Sequence, residues 1–437
     1  MKIAIIGGGV AGLSTAYYLQ KNLQAEIDIY EQDCDIGGLA RGIVFENTYI
    51  EKYYHHIFTH DNYLLEIVKE LELEDKLLWR KSKVAYFTDG IVYPFTTAMD
   101  LLKFKPLSFV SRIRFGLSSL FISMYKNVDK LEKKTTEEFL VKIAGKRGWE
   151  KIWKPMLRIK FGDNYNKIPA VWIWERIVQR FKSRSSGGQN EVLGYMKGSF
   201  HLLNQQILKS VEDKGARIFL NSKVSEILIE DKNCKGICVN GEKKTYNYVI
   251  CTAALPIFTE LCKNAPMDYI LPLKEVNYDC AMAVIMILNK PLSDIYWMNI
   301  SDNEIPFGGL IEHTNFIPKE TYNNKVVLYF SKYMNPDNKY MKMKDDEIIE
   351  DYTKYLKKVH KNFDDKTIEK YYIFRDRYAQ PIWPLRYSSI KPAFKTPISG
   401  LYLSNTSQIY PNDRGINFSV KLGKQVVDAF INNEKGI

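Results

Sequence analysis

The residues nearest the N-terminus that could do chemistry form a glycine-rich turn. Its sequence, Gly7-Gly8-Gly9-Val10-Ala11-Gly12, fits the pattern GxGxxG and directly follows an apolar run. In this pattern the first glycine permits a tight turn, the second lets the backbone approach a pyrophosphate, and the third lets a helix pack closely on a strand. A helix that begins here offers free N–H groups and a positive dipole end to phosphates. The sequence therefore predicts a dinucleotide-binding turn with Gly7, Gly9, Ala11 and Gly12 as binding residues.

An acidic residue and a second glycine pair follow this turn. Glu31 lies 24 residues after Gly7, at the end of another apolar segment. A carboxylate there can accept both hydroxyls of an adenosine ribose, which favours a ribose without a phosphate. Gly37-Gly38-Leu39-Ala40-Arg41 comes next and could bring backbone and a cation to the pyrophosphate, or could be an ordinary turn. The GxGxxG pattern alone does not distinguish NAD from FAD.

The elements that position these residues are a strand over 2–6, a helix over 13–23 and a strand over 26–30, which together make a βαβ unit with a parallel strand pair. Helical patterns dominate from Tyr63 to about Arg180, and 184–189 indicates a flexible loop. The remaining expected elements are helices over 202–214, 345–360 and 417–432, and strands over 217–220, 224–229, 280–288 and 400–404. A hairpin at Asn240-Gly241 is expected to join strands 236–239 and 244–250.

The segment from Gly7 to Arg41 resembles the opening of the FAD-dependent amine oxidase superfamily, which includes protoporphyrinogen oxidases, carotenoid desaturases and UDP-galactopyranose mutases. The resemblance implies FAD as the cofactor, with Glu31 at its ribose and Gly38 and Arg41 beside it. It extends to Gly194–Phe200, which is similar to the crossover between the two domains of these proteins. It also covers 221–227, where Val224 would contact the adenine through its backbone.

The C-terminal part of the chain carries the same resemblance. Residues 400–405 resemble the last strand of the family, although this chain has Asn405 where relatives carry an aspartate that binds FAD. Gly415-Ile416-Asn417 then opens the final helix, whose N–H groups face the flavin in relatives. A helix N-terminus at that place would stabilise the negative charge of reduced flavin.

The implied fold is an α/β, Rossmann-like FAD-binding domain of the GR2 type with an inserted, partly helical substrate domain. We expect residues 1–60, 195–265 and 395–437 to form the FAD-binding domain. Residues 61–194 and 266–394 would then form the substrate-binding domain.

Three histidines lie within the segment 53–60 and allow several interpretations. They could bind a metal, although no set of carboxylates and cysteines completes such a site, or they could pack in a polar loop. The resemblance gives a third interpretation, because His56-Ile57-Phe58 is similar to a His-Ile-Phe segment beside the flavin of UDP-galactopyranose mutases. On that basis His56 is a candidate catalytic residue, and we expect no metal.

Other candidates for the substrate side are Tyr378 and Arg386, which lie shortly before the final FAD strand. Trp149, Trp153, Trp172 and Trp174 could wall a pocket for an anionic, partly apolar small molecule, with Arg158, Lys160 and Arg176 supplying charge, or could form a helical core. Only one glycine fingerprint is present, so we expect no separate NAD(P)H domain. No cysteine attachment motif occurs near the C-terminus, so we expect non-covalent FAD.

Three functions remain compatible with these residues. The first is an FAD-dependent oxidoreductase that dehydrogenates a C–N or C–C bond, as in amine oxidases, protoporphyrinogen oxidases and desaturases. The second is a sugar-nucleotide isomerase similar to UDP-galactopyranose mutase, which uses the flavin without net oxidation. The third is a binding protein that keeps FAD only as structure.

Positive charge is concentrated in one part of the chain. The net charge is +11, and residues 101–160 contain 15 Lys plus Arg against 5 Asp plus Glu. This segment could be a solvated helical face, or it could attract a phospholipid surface or a phosphorylated substrate. No recognised nucleic-acid module is visible, so we expect no nucleic-acid partner.

The absence of CxxC pairs and of a run of ~20 apolar residues favours a cytoplasmic protein, with peripheral membrane contact as an option.

Overall fold

The computed structural model describes residues 1–183 and 191–434, so the loop predicted over 184–189 lies outside the described residues. The strands are β1 (Lys2–Ile6), β2 (Glu26–Tyr30), β3 (Gly42–Phe45), β4 (Thr48–Glu51), β5 (Ile57–Phe58), β6 (Leu77–Lys81), β7 (Val84–Thr88), β8 (Ile91–Pro94), β9 (Val192–Met196), β10 (Arg217–Phe219), β11 (Val224–Glu230), β12 (Asn233–Val239), β13 (Glu242–Thr245), β14 (Tyr248–Cys251), β15 (Asn277–Leu288), β16 (Trp297–Ile300), β17 (Gly309–Glu312), β18 (Val326–Met334), β19 (Ile368–Ile382) and β20 (Leu401–Leu403).

The helices are α1 (Val10–Asn22), α2 (Asn62–Glu70), α3 (Ala98–Lys103), α4 (Phe109–Met124), α5 (Val128–Glu132), α6 (Thr136–Gly148), α7 (Lys154–Phe161), α8 (Ala170–Ser183), α9 (Phe200–Glu212), α10 (Leu255–Leu261), α11 (Met267–Lys274), α12 (Asp345–Val359) and α13 (Ile416–Glu434).

A five-stranded parallel sheet joins the two ends of the chain. Its strand order is β10-β2-β1-β14-β20, so β1 lies in the middle and residues 401–403 form one edge. Both faces are buried: Ile3 and Ile5 pack in one apolar cluster with α1, α9 and α13, whereas Ala4 and Ile6 pack in another. Burial on both faces is typical of parallel sheets and explains the continuous apolar run of β1. All five strands come from segments that the sequence assigns to FAD binding.

A seven-stranded mixed sheet forms the second layer, in the order β19-β15-β18-β17-β16-β7-β8. The predicted buried strand 280–288 is the core of β15, which pairs with β18 on one side and β19 on the other. Helices α3 to α8 form a separate helical layer over 98–183. Pro106 lies in the break between α3, which ends at Lys103, and α4, which begins at Phe109.

Two predictions of local structure are wrong. Helices do not dominate all of 63–180, because β6, β7 and β8 occupy 77–94. Asp89 and Gly90 both have positive φ between β7 and β8, a hairpin turn that an Asp-Gly pair favours. The strand expected over 244–250 is also divided. Its first part ends the hairpin as β13, and its second part joins the parallel sheet as β14, after Asn247 hydrogen-bonds to Lys2.

The helices at the two ends of the chain touch without an intervening side chain. A Cβ added at Gly423 of α13 would lie 2.6 Å from the Cβ of Ser14 and 2.8 Å from the backbone nitrogen of Thr15, both in α1. Real Cβ contacts are not that short, so only glycine allows this separation of the helices. The start of α13 is thereby held near the glycine-rich turn that precedes α1.

We predict that Gly423→Ala destabilises the protein. Alanine normally stabilises a helix interior by about 1 kcal/mol relative to glycine, but here overpacking against α1 should outweigh this gain and cost about 1–3 kcal/mol. Urea unfolding measures the difference. Gly116→Ala in α4 is the matched control, because its Cβ would meet Leu101 at an ordinary 3.7 Å. Equal effects of the two substitutions would contradict the close contact.

Candidate functional site

The glycine-rich turn before α1 has the geometry that its pattern predicts. Gly7 has φ +108° and its N–H donates to the carbonyl of Tyr30 at 2.8 Å. A Cβ at Gly12 would lie 1.9 Å from the carbonyl oxygen of Gly7, so a side chain there would separate α1 from β1. No side chain caps α1, and its first turn contains no acidic residue. The positive end of the helix dipole is therefore not neutralised by a neighbouring side chain of that turn.

The second glycine pair lies directly against the first turn. The N–H of Gly37 donates to the carbonyl of Gly8 at 2.9 Å, and Gly38 has φ +55°. A Cβ at Gly9 would lie 3.8 Å from the Cα of Gly38, and one at Gly38 would lie 3.4 Å from the Cα of Gly9. Two backbone segments thus run side by side at the start of α1, as the resemblance implies for a pyrophosphate site.

Glu31 and Arg41 flank this backbone pair. The carboxylate of Glu31 accepts from the N–H of Gly8 at 2.7 Å and from that of Asp33 at 2.9 Å, and burial raises its pKa despite these bonds. The Arg41 guanidinium lies 3.5 Å from the carboxylates of Asp33 and Asp35, yet its buried Nε has no hydrogen-bond acceptor among the described residues. An arginine held in this way can still donate to a phosphate.

The second helix start is that of α13. A Cβ at Gly415 would meet no described heavy atom within 4 Å, so the backbone can be approached closely there. The backbone N–H and the hydroxyl of Ser419 both donate to the Gly415 carbonyl, at 3.0 and 3.1 Å, and so leave the N–H groups of the first turn free of a side-chain cap from this residue. No acidic residue lies in the first turn of α13. This helix start therefore also presents its positive end without a neutralising side chain of its own turn.

The two asparagines assigned to FAD binding use their side chains within the protein. Asn417 accepts from the N–H of Leu64 at 3.1 Å and so satisfies the first turn of α2. Asn405 accepts from the N–H of Ser407 at 3.0 Å and donates to the carbonyl of Ala253 at 2.9 Å. Direct contacts of these two residues with FAD stay predictions, as do those of Ile416, which begins α13, and Val224, which is buried at the start of β11.

Charged groups converge immediately before α13. Asp413 lies 2.8 Å from Lys160 Nζ and 3.4 Å from Arg176 Nη1, and all three side chains are largely buried. Arg414 donates to the hydroxyl of Tyr333 in β18, and the Lys160 ammonium lies 5.0 Å from the centre of the same ring. Three cations thus surround one carboxylate and one phenol. The surplus of positive charge suits an anionic ligand.

Burial would raise the pKa of Tyr333, but Arg414 and Lys160 outweigh burial, so its pKa is lowered. The pKa of its neighbour Tyr54 is instead raised, mainly by burial. Desolvation also works against the charge of Asp413, yet Lys160 and Arg176 lower its pKa. The cluster therefore stabilises negative charge on Asp413 and Tyr333, whereas burial keeps Tyr54 protonated.

The histidine segment borders this cluster. Burial and, to a smaller extent, the charge of Arg414 lower the pKa of His55 to about 4, so His55 lies on the side of α13. His56 packs edge-on against Phe58 and Trp297, and burial lowers its pKa to about 3. Both imidazoles are neutral at pH 7. Within the part of the chain that the structure describes, no three His, Cys, Asp or Glu side chains are arranged to hold a metal ion.

Among the described residues, the other candidates for the substrate side form no hydrogen bond or ion pair with Lys160, Arg176 or Arg414, although Asp376 beside Tyr378 interacts with Arg414. Tyr378 packs against Tyr278, while its N–H donates to Asp376. Arg386 is exposed, and its backbone N–H donates to the carbonyl of Glu132. Catalytic roles for Tyr378 and Arg386 stay predictions. Trp149, Trp153 and Trp172 are buried in the helical core, as the packing interpretation proposed.

Sequence reasoning missed Tyr333, Asp413 and Arg414. Tyr333 is an alternating residue of an ordinary strand, and nothing local marks it. Asp413 and Arg414, however, directly precede the glycine of the final helix, where charged residues would face whatever that helix start binds. The place of Asp413 and Arg414 directly before this helix was therefore the feature of the sequence that could have identified them.

Comparison with known proteins decides the family. The sequence matches the family described as flavin containing amine oxidoreductase over residues 10–412. The chain belongs to this family. Its members use FAD, and the fold class and the cofactor expected from the sequence are thereby confirmed.

Individual relatives are more distant. The 15-cis-phytoene desaturase of Synechococcus elongatus is 25% identical over 250 residues, which are 53% of this chain and 52% of the relative. A protein from Exiguobacterium sp. 255-15, assigned as a protoporphyrinogen oxidase, superposes with a TM-score of 0.79 at 16% identity and covers 98% of both chains. Reduced UDP-galactopyranose mutase superposes with a TM-score of 0.76 at 16% identity, over 99% of this chain and 95% of the mutase. The chain spans about half the length of the curated relatives it matches, and the structural likenesses show the fold alone.

The residues present fit FAD. Two helix starts without an acidic residue in their first turns, one at each end of the chain, belong to helices in direct contact through Gly423. The arginine beside each of them, Arg41 and Arg414, keeps a buried Nε–H without a hydrogen-bond acceptor among the described residues. Glycines 9, 38 and 415 leave the backbone accessible. Gly9, Gly38 and Arg41 would hold the pyrophosphate, and the start of α13 would face the flavin.

We predict that Gly415→Ala folds but binds FAD at least about fivefold more weakly. The added methyl group meets no described protein atom, so the apoprotein should lose less than about 1 kcal/mol of stability, while the methyl group would crowd the flavin. Flavin absorbance per mole of purified protein and FAD titration of the apoprotein measure the effect. Gly116→Ala should bind FAD as the wild type does. Unchanged FAD affinity in Gly415→Ala would contradict a flavin at α13.

Proposed function

We propose that the protein dehydrogenates a C–N or C–C bond of an anionic, partly apolar substrate, with FAD bound non-covalently. One observation carries this proposal: Lys160, Arg176 and Arg414 converge with Tyr333 at the start of α13. The surplus of cations suits a carboxylate or phosphate group of a substrate. The ring of Tyr54, which lies near Tyr333 and Arg414 and contacts the rings of Trp297 and Tyr329, suits the apolar part.

Bound FAD would supply a two-electron acceptor for a hydride from the substrate. Tyr333 is suited to take the accompanying proton, because Arg414 and Lys160 favour its ionised form. The phenol of Tyr54 stays neutral, because its pKa is raised, so it would donate a hydrogen bond and would not compete with Tyr333 for the proton of the substrate. The substrate would thus lose one hydride to FAD and one proton to Tyr333. Dioxygen or a quinone would then reoxidise the cofactor by accepting the two electrons.

Anaerobic bleaching of the flavin tests the reaction class. Purified protein should be yellow and should lose its visible absorbance when mixed with a substrate of the right class. Phytoene, a porphyrinogen and primary amines represent the chemistries of the relatives and neighbours, and carboxylated candidates should act best. Acid precipitation should release all FAD into the supernatant. A flavin that no candidate bleaches, or one that stays with the precipitate, would count against the proposal.

We predict that Tyr333→Phe removes a pH dependence of flavin reduction. Because the pKa of Tyr333 is lowered from its ordinary value near 10, the wild-type rate should rise with pH and level off below pH 10. The Phe variant should be at least about tenfold slower and should not show this rise. Tyr54→Phe is the matched control from the same cluster. The rate of flavin reduction in Tyr54→Phe should still rise with pH as in the wild type, since the pKa of Tyr54 is raised.

A sugar-nucleotide isomerase is the second candidate. The overall likeness to UDP-galactopyranose mutase favours it, together with the position of the His55-His56 segment beside the cation cluster. A diphosphate would suit Lys160, Arg176 and Arg414 as well as a carboxylate would. Conversion of UDP-galactopyranose only after dithionite reduction, with no net consumption of electrons, would establish the isomerase and exclude dehydrogenation as the main reaction.

A further inference from the structure

Helix α4 presents an apolar face to the outside of the protein. Seven large side chains on it are 40–76% exposed: Phe109, Val110, Ile113, Leu117, Leu120, Phe121 and Met124. At 100° per residue they fall within one arc of about 120°, so they form a continuous stripe along the helix. The opposite side is buried, where Phe115 stacks on Trp153 and Ile122 is inaccessible. We call the seven residues the α4 outer face.

Neighbouring elements extend this face. Met99 and Leu102 of α3 are also exposed, and a shallow groove of about 470 Å³ runs between α4 and Ile143 of α6. Isolated exposed apolar residues are normal on proteins, but a contiguous stripe of seven along one helix is not. Such a surface needs an occupant.

The border of the α4 outer face is positively charged. Residues 101–128 contain Lys103, Lys105, Arg112, Arg114 and Lys126 and no acidic residue. Arg112 donates to the carbonyls of Leu102 and Leu107, and Arg114 donates to those of Lys142 and Ile143. These bonds fix α4 against α3 and α6 with the apolar stripe outward. They leave the positive charge of both guanidiniums at the edges of the stripe.

The positive charge at the border of the α4 outer face distinguishes between the partners that could cover this face. None of the helices that the structure describes combines the length and apolar character needed to cross a membrane. A second copy of this chain would bring one basic border against another. An anionic lipid surface offers acyl chains to the stripe and phosphates to the cations. We propose that the α4 outer face docks the protein on the surface of an anionic phospholipid bilayer.

The docking face lies on the helical layer that also carries the substrate-side cations. Helix α4 packs against α6 and α8, and Arg176 of α8 belongs to the cluster around Asp413. If the proposed function holds, a partly apolar substrate with an acidic group would come from the bilayer itself. Docking does not depend on that chemistry, because it rests only on the exposed stripe and its charged border.

Vesicle co-sedimentation tests the docking. FAD-loaded protein should bind vesicles of phosphatidylglycerol and phosphatidylcholine, and should bind pure phosphatidylcholine at least about tenfold more weakly. Leu117→Glu combined with Phe121→Glu should lower binding to the mixed vesicles at least about tenfold. Lys103→Gln combined with Lys105→Gln and Lys126→Gln should remove most of the difference between the two lipids.

The matched control places the same charges on another exposed apolar pair. Met267→Glu combined with Leu271→Glu alters α11, where both residues are more than half exposed, and should leave lipid binding unchanged. Flavin content of each variant shows that it is folded. Wild-type protein that binds neither vesicle would overturn the proposal. So would a concentration-dependent dimer, seen by sedimentation velocity, that the Leu117 and Phe121 double variant abolishes, because the occupant would then be a second copy. Loss of lipid binding with unchanged bleaching by water-soluble substrates would leave the proposed function intact.

Discussion

The contact between α1 and α13 through Gly423 is the constraint on which the flavin site depends. It brings two helix starts from opposite ends of the chain to one region, although about 400 residues separate them in sequence. Electrostatics alone would push two positive dipole ends apart. The packing of Gly423 on Ser14 and Thr15 holds the two helices together, and FAD, whose diphosphate carries two negative charges, would offset part of this repulsion. The geometry thus explains why the cofactor and this fold suit each other.

The same reasoning applies to the charges near α13. Burying Lys160, Arg176 and Arg414 together is costly, and Asp413 is the carboxylate in direct contact with Lys160 and Arg176. Asp376 and Glu191 interact with Arg414 and Arg176 from farther away. Tyr333 offsets part of the positive charge. Its hydroxyl accepts a hydrogen bond from Arg414, and the charge of Arg414 lowers the pKa of Tyr333. Such clusters persist where a ligand completes them. The cluster of cations therefore suits a negatively charged substrate, whether that substrate is oxidised or isomerised.

Local signals in the sequence were sufficient for the nucleotide-binding half of the site. The turn at Gly7, the strand before it and the acid at Glu31 lie within 31 residues, so spacing alone fixes their arrangement. Tyr333 and Arg414 could not be found in this way, because they meet only after β18 and the start of α13 have packed together. The hairpin at Asp89-Gly90 was missed for a different reason: its turn signal was present, but the surrounding helical pattern hid it. Arg386 was chosen for its place before the last strand, yet the chain turns outward there.

The ties of α13 have a consequence for how the protein is made. Asn417 and Lys424 bond to α2, Gly423 packs on α1, and β20 forms the edge of the first sheet. On the ribosome the amino-terminal βαβ unit therefore emerges long before its partners exist. Its nascent form lacks both its outer strand and its covering helix, so it must wait, with apolar surface uncovered, until translation has passed residue 430. Chaperone binding to this early segment is the natural protection during that interval.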